Sequence, residues 1–492
     1  MSVTASPREP LLRWLLALGV FALLVVFFSP SWGAFRLWSR VPEMGGMLEV
    51  RRGVAVLAQV ENPGAPLADE LHRAIQWRLF FPLLGRGLGL PPPLLFGLAH
   101  VGALLVLAWL AAALRRDGNN WADTACALIA LGAASWFFTA TGWLGYFDSW
   151  LALALLLAAF AERRWIVWLA CLLAPWIDER FVAAAPLALL CRWLRRGETF
   201  DLRRDLGVPA ALLAAFVAVR LGVLASRSAE GATVSGYLGS RDYLAAPPAR
   251  IALGVWNGLR GAWVLVLVAV IAARATRTRA PALAFAAFAT AAVGLATAQD
   301  YSRAMTMLLP VAVLGALRLR EVAWGATALH LAAALALVVP AHHVMSDRVN
   351  PIFNLQHELA ALEHPPAAAM PELYELRAIH AMGRGEFDRA DADLALAIRL
   401  ASNPAAPARQ RGVLAASQGR WSDARKYFSL MAEHAPNDPD AWLMCAQASL
   451  ALDETPRARS EMDRALALAP PEWKTRPDVA RVLTKLSGNP AR

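Results

Sequence analysis

The stretch APWIDERFVAAAP, residues 174–186, sets Asp178, Glu179 and Arg180 side by side inside a long apolar region. Each such charge costs about 3 kcal/mol at the centre of a bilayer, so three in a row mark either a surface turn or a working site. Further charges fall at comparable places. Asp148 follows TGWLGYF, and Asp300 sits in AQDYSR with Arg303 one helical turn later. The segment ADELHRAIQWRLFFPLLG carries Asp69, Glu70 and His72, and Arg220 and Arg260 lie within apolar runs. An intramembrane arginine faces the interior of a bundle and pairs with an acid or a ligand anion. Its planar fork matches phosphate oxygens, and a carboxylate near a hydroxyl can act as general base. One chemistry uses all of these: arginines hold a lipid phosphate or pyrophosphate while a carboxylate takes a proton from an acceptor hydroxyl. The expected catalytic acids are Asp69, Glu70, Asp178 and Glu179. The expected substrate-binding residues are Arg220, Arg260, Asp300, Arg303, Asp148, Arg180 and His72.

Each assignment has a structural alternative. Asp69 and Glu70 suit the first turn of a surface helix, and Asp178–Arg180 suit a solvated turn. Asp300 and Arg303 can pair with each other. Arg220 and Arg260 can snorkel to the interface, and Asp148 can cap a helix. His342-His343 follows the last apolar run and reads as interfacial.

The elements that must position these residues are membrane helices. Of 492 residues, 58% are hydrophobic and 17% charged, with mean hydropathy +0.42, against about 25% charged in globular domains. The net charge of +10 comes from arginines clustered between apolar runs. That pattern reads as membrane topology and not nucleic-acid binding, because no basic stripe is interleaved with aromatics. Cys126, Cys171, Cys191 and Cys445 form no C-x-x-C, so neither a disulfide framework nor a zinc site is signalled.

Runs long enough to span, about 20 residues, lie at 11–31, 94–114, 121–141, 206–226, 251–273 and 323–341, with shorter runs at 147–161, 281–297 and 304–318. The region 165–194 reads as two short passes joined by the Asp178–Arg180 turn. The total is about eleven passes, with residues 32–93 as a long outer loop. If the N-terminus is cytoplasmic, the arginines of the cytoplasmic loops far outnumber those of the short outer loops, as the positive-inside rule requires. The acids above, and the C-terminal region, then lie outside.

After residue 341 the apolar runs stop, 342–370 reads as a linker, and a 34-residue period begins. Gly385 and Gly419 are one period apart, as are Pro436 and Pro470; Ala390, Ala424 and Ala458 form one column, and Leu394, Phe428 and Met462 another. This resembles tetratricopeptide repeats over residues 371–470, three helix pairs in which small residues mark close helix approach. Residues 471–492 supply a capping helix and tail. The fold class is therefore all-α: a polytopic bundle followed by a short α-solenoid. The repeats imply a protein or peptide partner.

The layout as a whole resembles the glycosyltransferase C superfamily. It shares a first helix, a long outer loop with acids and amphipathic pieces, further helices and a soluble outer domain, and some members of that superfamily end in tetratricopeptide repeats. The resemblance implies a polyprenyl-phosphate-linked sugar donor drawn from the membrane lipid, and a catalytic acid in the first outer loop, for which Asp69-Glu70 is the match. It also implies residence in a bacterial inner membrane with a periplasmic repeat domain. No D-x-D is present, so the cofactor is unknown and a divalent metal stays open. The alternatives are an O-antigen polymerase or ligase, a non-enzymatic envelope assembly scaffold, and a transporter.

Overall fold

The computed structural model describes residues 8–28, 48–64, 76–226, 244, 246–275, 279–352, 354–356, 371–383, 385–401 and 403–487. The chain divides into two compact units, with the division along the sequence between Leu355 and Gln356.

The first unit is a helical bundle. In chain order it contains α1 (Glu9–Phe27), α2 (Leu48–Glu61), α3 (Phe80–Leu88), α4 (Pro92–Arg116), α5 (Trp121–Gly132), α6 (Ser135–Gly142), α7 (Asp148–Phe160), α8 (Arg164–Ile177) and α9 (Arg180–Arg196). It continues with α10 (Val208–Ser226), α11 (Pro248–Leu259), α12 (Trp263–Ala272), α13 (Arg279–Thr297), α14 (Tyr301–Ala304), α15 (Leu309–Leu317) and α16 (Gly325–Val338). The core is built from leucines and alanines of α4, α7, α9 and α15, with Leu107, Leu155, Leu187 and Leu314 all sealed from solvent. Large apolar side chains also cover the outside: Phe285, Phe288 and Val338 are 74%, 72% and 74% exposed. Large apolar side chains exposed in this way suit a lipid environment better than water.

The expected eleven passes are not upheld. Among the described residues five helical stretches are long and apolar enough to cross a membrane: Glu9–Phe27, Pro92–Arg116, Leu202–Gly222, Pro248–Ala272 and Arg279–Thr297. A sixth arises if α5 and α6, bent by 64°, count as one span. The bend follows from a break at Ala133 and Ala134, which frees the carbonyl of Leu131; the buried indole of Trp136 donates to it at 2.8 Å. The run at 323–341 forms only the 14 residues of α16, whereas 281–297 proves long enough. Helix α8 also has 14 residues, or about 21 Å at 1.5 Å per residue, short of the roughly 30 Å hydrocarbon core.

The residues expected to begin the linker instead form a β-hairpin of this unit. Strand β1 (Ala341–Val344) pairs antiparallel with β2 (Val349–Ile352), Ala341 opposite Ile352 and Val344 opposite Val349. The Asn257 side chain fastens it by accepting from the His342 amide at 2.8 Å. Arg250 fastens the turn by donating to the Ser346 carbonyl at 2.6 Å.

The second unit holds three helix pairs: α17 (Pro371–Gly383) with α18 (Phe387–Leu400), α19 (Ala405–Ser417) with α20 (Trp421–His434), and α21 (Pro439–Ala451) with α22 (Thr455–Leu468). The column Ala390, Ala424, Ala458 is wholly buried, as close pairing demands. Helix α23 (Pro477–Leu486) lays Val479, Val482 and Leu486 against the last pair. It is held there by Arg476, which donates to Asp440 at 2.6 Å.

Candidate functional site

The charged side chains of the first unit gather at two ends of the bundle. At one end Asp205 accepts from Arg164, Arg192 and Arg196 at 3.2, 3.0 and 3.4 Å. Arg195 pairs with Asp117, and Arg116 with Glu162. Glu9 of α1 pairs there with Arg13 and Arg115. These arginine-rich loops are the ones grouped as cytoplasmic from the sequence.

At the other end, residues far apart in sequence form one ionic network. Asp148, at the start of α7, is 1% exposed. It accepts from Arg303 Nε and Nη2 at 3.1 and 2.8 Å, and from Arg180 Nη2 at 2.6 Å. Asp178, between α8 and α9, accepts from Arg180 Nε and Nη2 at 2.9 and 2.7 Å and pairs with Arg78 Nη1 at 2.7 Å. Glu179 takes a bidentate grip from Arg78, whose Nε and Nη2 each donate at 2.7 Å. Arg180 also donates to the Arg303 carbonyl at 3.0 Å.

Asp300 extends the network. Its Oδ1 accepts from the Arg303 amide at 3.0 Å and the Ser302 hydroxyl at 3.1 Å, which caps α14. Its Oδ2 lies 2.9 Å from Nε2 of His343, a residue 1% exposed on β1. The His343 ring meets Trp143 edge-on at 4.0 Å.

The short helices explain the geometry. Because α7 starts, α8 ends, α9 starts and α14 starts at this end, their terminal acids and arginines meet without crossing the apolar core. Pro175 and Pro186 both lie inside helices, α8 and α9, and do not bracket the turn itself. The Asp178–Arg180 turn is not the freely solvated one that composition allowed: Asp178 is 3% exposed.

The electrostatics bear on the expected acid–base roles. Burial pushes the Glu179 carboxyl up, but the Arg78 guanidinium outweighs it and holds the group below the usual carboxylate range. For Asp178 burial again raises, and Arg180 and Arg78 lower it well below the ordinary value. Burial also opposes ionisation of Asp300, and His343 with Arg303 reverses the sign. A carboxylate held this way is a poor base until a guanidinium leaves it. Glu179 is the most exposed of the four, its side chain 29% accessible against 4% for Asp178 and 1% for Asp148.

Of the other expected residues, Arg220 lies close enough to Glu179 to help lower its pKa, and its Nε is buried without a hydrogen-bond partner. Arg260 does not join the network. Its guanidinium donates to the carbonyls of Ala336 and Pro340 at 2.7 and 3.0 Å and lies over the Phe28 ring at 5.2 Å. It therefore closes the C-terminal end of α16, where orphan carbonyls and the helix dipole favour a cation. Asp69, Glu70 and His72 lie outside the described residues. Among the described residues no group of three or more His, Cys, Asp or Glu side chains is placed to hold a metal ion.

Arg52, Arg78, Tyr146 and Ser302 belong to this end without a sequence signal of their own, and His343, expected to be interfacial, is instead buried in it. Arg78 stands in the same segment, ADELHRAIQWRLFFPLLG, as Asp69, Glu70 and His72. His343 had only its adjacency to a span as a signal.

Residues 415–486 match the tetratricopeptide repeat family, whose members generally mediate protein–protein contacts. No curated protein and no solved structure matches the chain.

Proposed function

We propose that the first unit is a membrane glycosyltransferase that uses a polyprenyl-phosphate-linked sugar at the outer leaflet of a bacterial inner membrane. The second unit would then be periplasmic and bind an acceptor or a partner protein. The observation that carries this reading is the network itself. Asp148, Asp178, Glu179, Arg180, Asp300 and Arg303 come from separate helix ends and meet at the end of the bundle opposite the arginine-rich loops. Burying so many charges gives little stability over apolar packing, so a use for them is the economical explanation.

In this reading the acceptor hydroxyl oxygen attacks the anomeric carbon of the donor sugar, and the bond from that carbon to the phosphate oxygen breaks. Polyprenyl phosphate leaves with the bonding electrons, its charge offset by the arginines. The hydroxyl proton passes to Glu179, the carboxylate with the most solvent access, once Arg78 shifts from it to the phosphate. The test is transfer from a polyprenyl-phosphate sugar by the purified, reconstituted protein. Glu179→Gln should abolish transfer while the protein stays folded; undiminished turnover in that variant removes Glu179 from the reaction.

One observation favours a second, non-enzymatic reading. Every carboxylate in the network already has a guanidinium partner, so the network can also serve as a staple for a scaffold whose repeats recruit envelope proteins. Under that reading no donor is consumed, and Glu179→Gln lowers stability alone.

A further inference from the structure

Arg52 of α2 differs from the other arginines of the network. It is 7% exposed, its Nε is buried with no hydrogen-bond partner, and no carboxylate among the described residues lies within ion-pair distance of it. Its one described side-chain contact of note is the ring of Tyr146, 4.4 Å below its guanidinium. The Arg303 guanidinium lies 4.5 Å from the same ring, so two cations share one aromatic side chain. Burial lowers the Arg52 pKa to about 10, the like charges of Arg78 and Arg303 push in the same direction, and Tyr146 and Asp178 offset this only in part.

This placement is enforced by the backbone. A Cβ on Gly145, which has φ +77°, would come within 3.0 Å of the Arg52 carbonyl group, and one on Gly53 within 2.8 Å of Leu144 Cβ. Helix α2 is thus pressed directly on the 144–146 loop, and the Arg52 side chain is directed at Tyr146. A buried cation without a counter-ion is destabilising unless something negative visits it. The remaining network supplies that charge only in part: Asp178 favours the Arg52 cation from beyond ion-pair distance but is itself held by Arg78 and Arg180.

We propose that Arg52, backed by Tyr146 and flanked by Arg78 and Arg303, is a binding subsite for a phosphate oxyanion. The fork of a guanidinium suits two phosphate oxygens, and three arginines suit a doubly charged group. As a subsite for the donor it rests on the transferase reading; as an anion site it is tested without any transfer.

The experiment measures binding to the full-length protein in detergent by calorimetry, at fixed ionic strength. The probes are inorganic pyrophosphate and a short-chain prenyl monophosphate, with sodium chloride as control. Wild type is expected to bind at least one phosphate probe and not chloride. Arg52→Gln should weaken that binding roughly 10- to 100-fold, the range for one lost charge-assisted pair, with Arg52→Lys intermediate. Because Arg52 has no ion-pair partner to lose among the described residues, Arg52→Gln should unfold at the same temperature as wild type or higher. Preference for the prenyl phosphate identifies a lipid ligand; equal binding of pyrophosphate identifies a soluble one. Failure of both probes on wild type, or unchanged binding in Arg52→Gln, overturns the subsite. Phosphate binding without sugar transfer keeps the subsite and removes the transferase reading. Transfer that survives Arg52→Gln unchanged does the reverse.

Discussion

Asp148 stands between two arginines, Arg180 at 2.6 Å and Arg303 at 2.8 Å, and separates guanidiniums that would otherwise face each other in a buried site. The position of this one carboxylate fixes how α7, α9 and α14 meet. Its loss therefore has a cost beyond a broken contact: two buried cations are left with one shared acid, Asp178, and Arg303 with Asp300 at 3.6 Å besides.

Asp148→Asn is expected to destabilise the bundle by about 3 kcal/mol, the low end of the range for removing one partner of a buried ion pair. Unfolding of the detergent-solubilised protein, followed by tryptophan fluorescence, reads this. The double variant Asp148→Asn, Arg303→Gln should recover part of the loss, since the uncompensated cation is gone. Strict additivity of the two changes would show that the pair is not coupled.

The pH dependence has a defined sign. Asp178 and Glu179 have pKa values below those of the unfolded chain, because Arg78 and Arg180 outweigh burial. Groups depressed in this way contribute stability that is complete above the unfolded values, near 3.9 for Asp and roughly 4.3 for Glu, and lost as pH falls through the folded values. Unfolding temperature should thus stay level from about pH 8 to about pH 5 and fall below about pH 4. Glu179→Gln should flatten part of the acid limb. An acid limb identical to that of wild type would mean that Glu179 is not held by Arg78 in solution.

Much of this site was legible in sequence because it depends on helix ends. Asp148, Asp178–Arg180 and Asp300–Arg303 each sit where an apolar run stops, and alternating arginine-rich and acid-bearing loops sort those ends onto two sides. The repeat period was legible for a similar reason, as identical helix pairs repeat the same small-residue contacts. The number of passes was not, because α7, α8 and α16 are as apolar as a span and differ only in length once folded. Nor was the role of Arg260, whose partners are backbone carbonyls of Ala336 and Pro340. A carbonyl acceptor exists at every residue, so nothing in the sequence distinguishes those two. Arg52 lay inside a long loop with no visible periodic signal, and its importance comes from what it lacks.

Arg260 gives a prediction opposite in kind to Asp148. Arg260→Met keeps the apolar stem over Phe28 but leaves the last carbonyls of α16 without donors in a buried setting. A loss of about 2 kcal/mol is expected, measured by unfolding in detergent. Phosphate-probe affinity should stay within about twofold of wild type, a difference of under roughly 0.5 kcal/mol. A tenfold loss of affinity at unchanged stability would return Arg260 to the ligand site.

The repeat unit carries a sequence irregularity with a clean physical test. The turn inside each helix pair needs a left-handed residue: Gly385 has φ 77°, Gly419 φ 72°, and at the third corresponding place Asp453 has φ 62°. Glycine adopts that region freely, whereas L-residues pay strain, aspartate less than most. Asp453→Gly should relieve part of it and stabilise the third pair by about 0.5 kcal/mol, the strain relief being offset by the larger entropy of glycine in the unfolded chain. Gly419→Ala should cost about 1 kcal/mol. Amide exchange across residues 405–434 and 439–468 in the full-length protein reads both changes locally. Slower exchange in α21 and α22 for the first variant and faster exchange in α19 and α20 for the second is the expected pair of results. Faster exchange in Asp453→Gly would mean that the aspartate side chain stabilises its turn by more than the backbone strain costs.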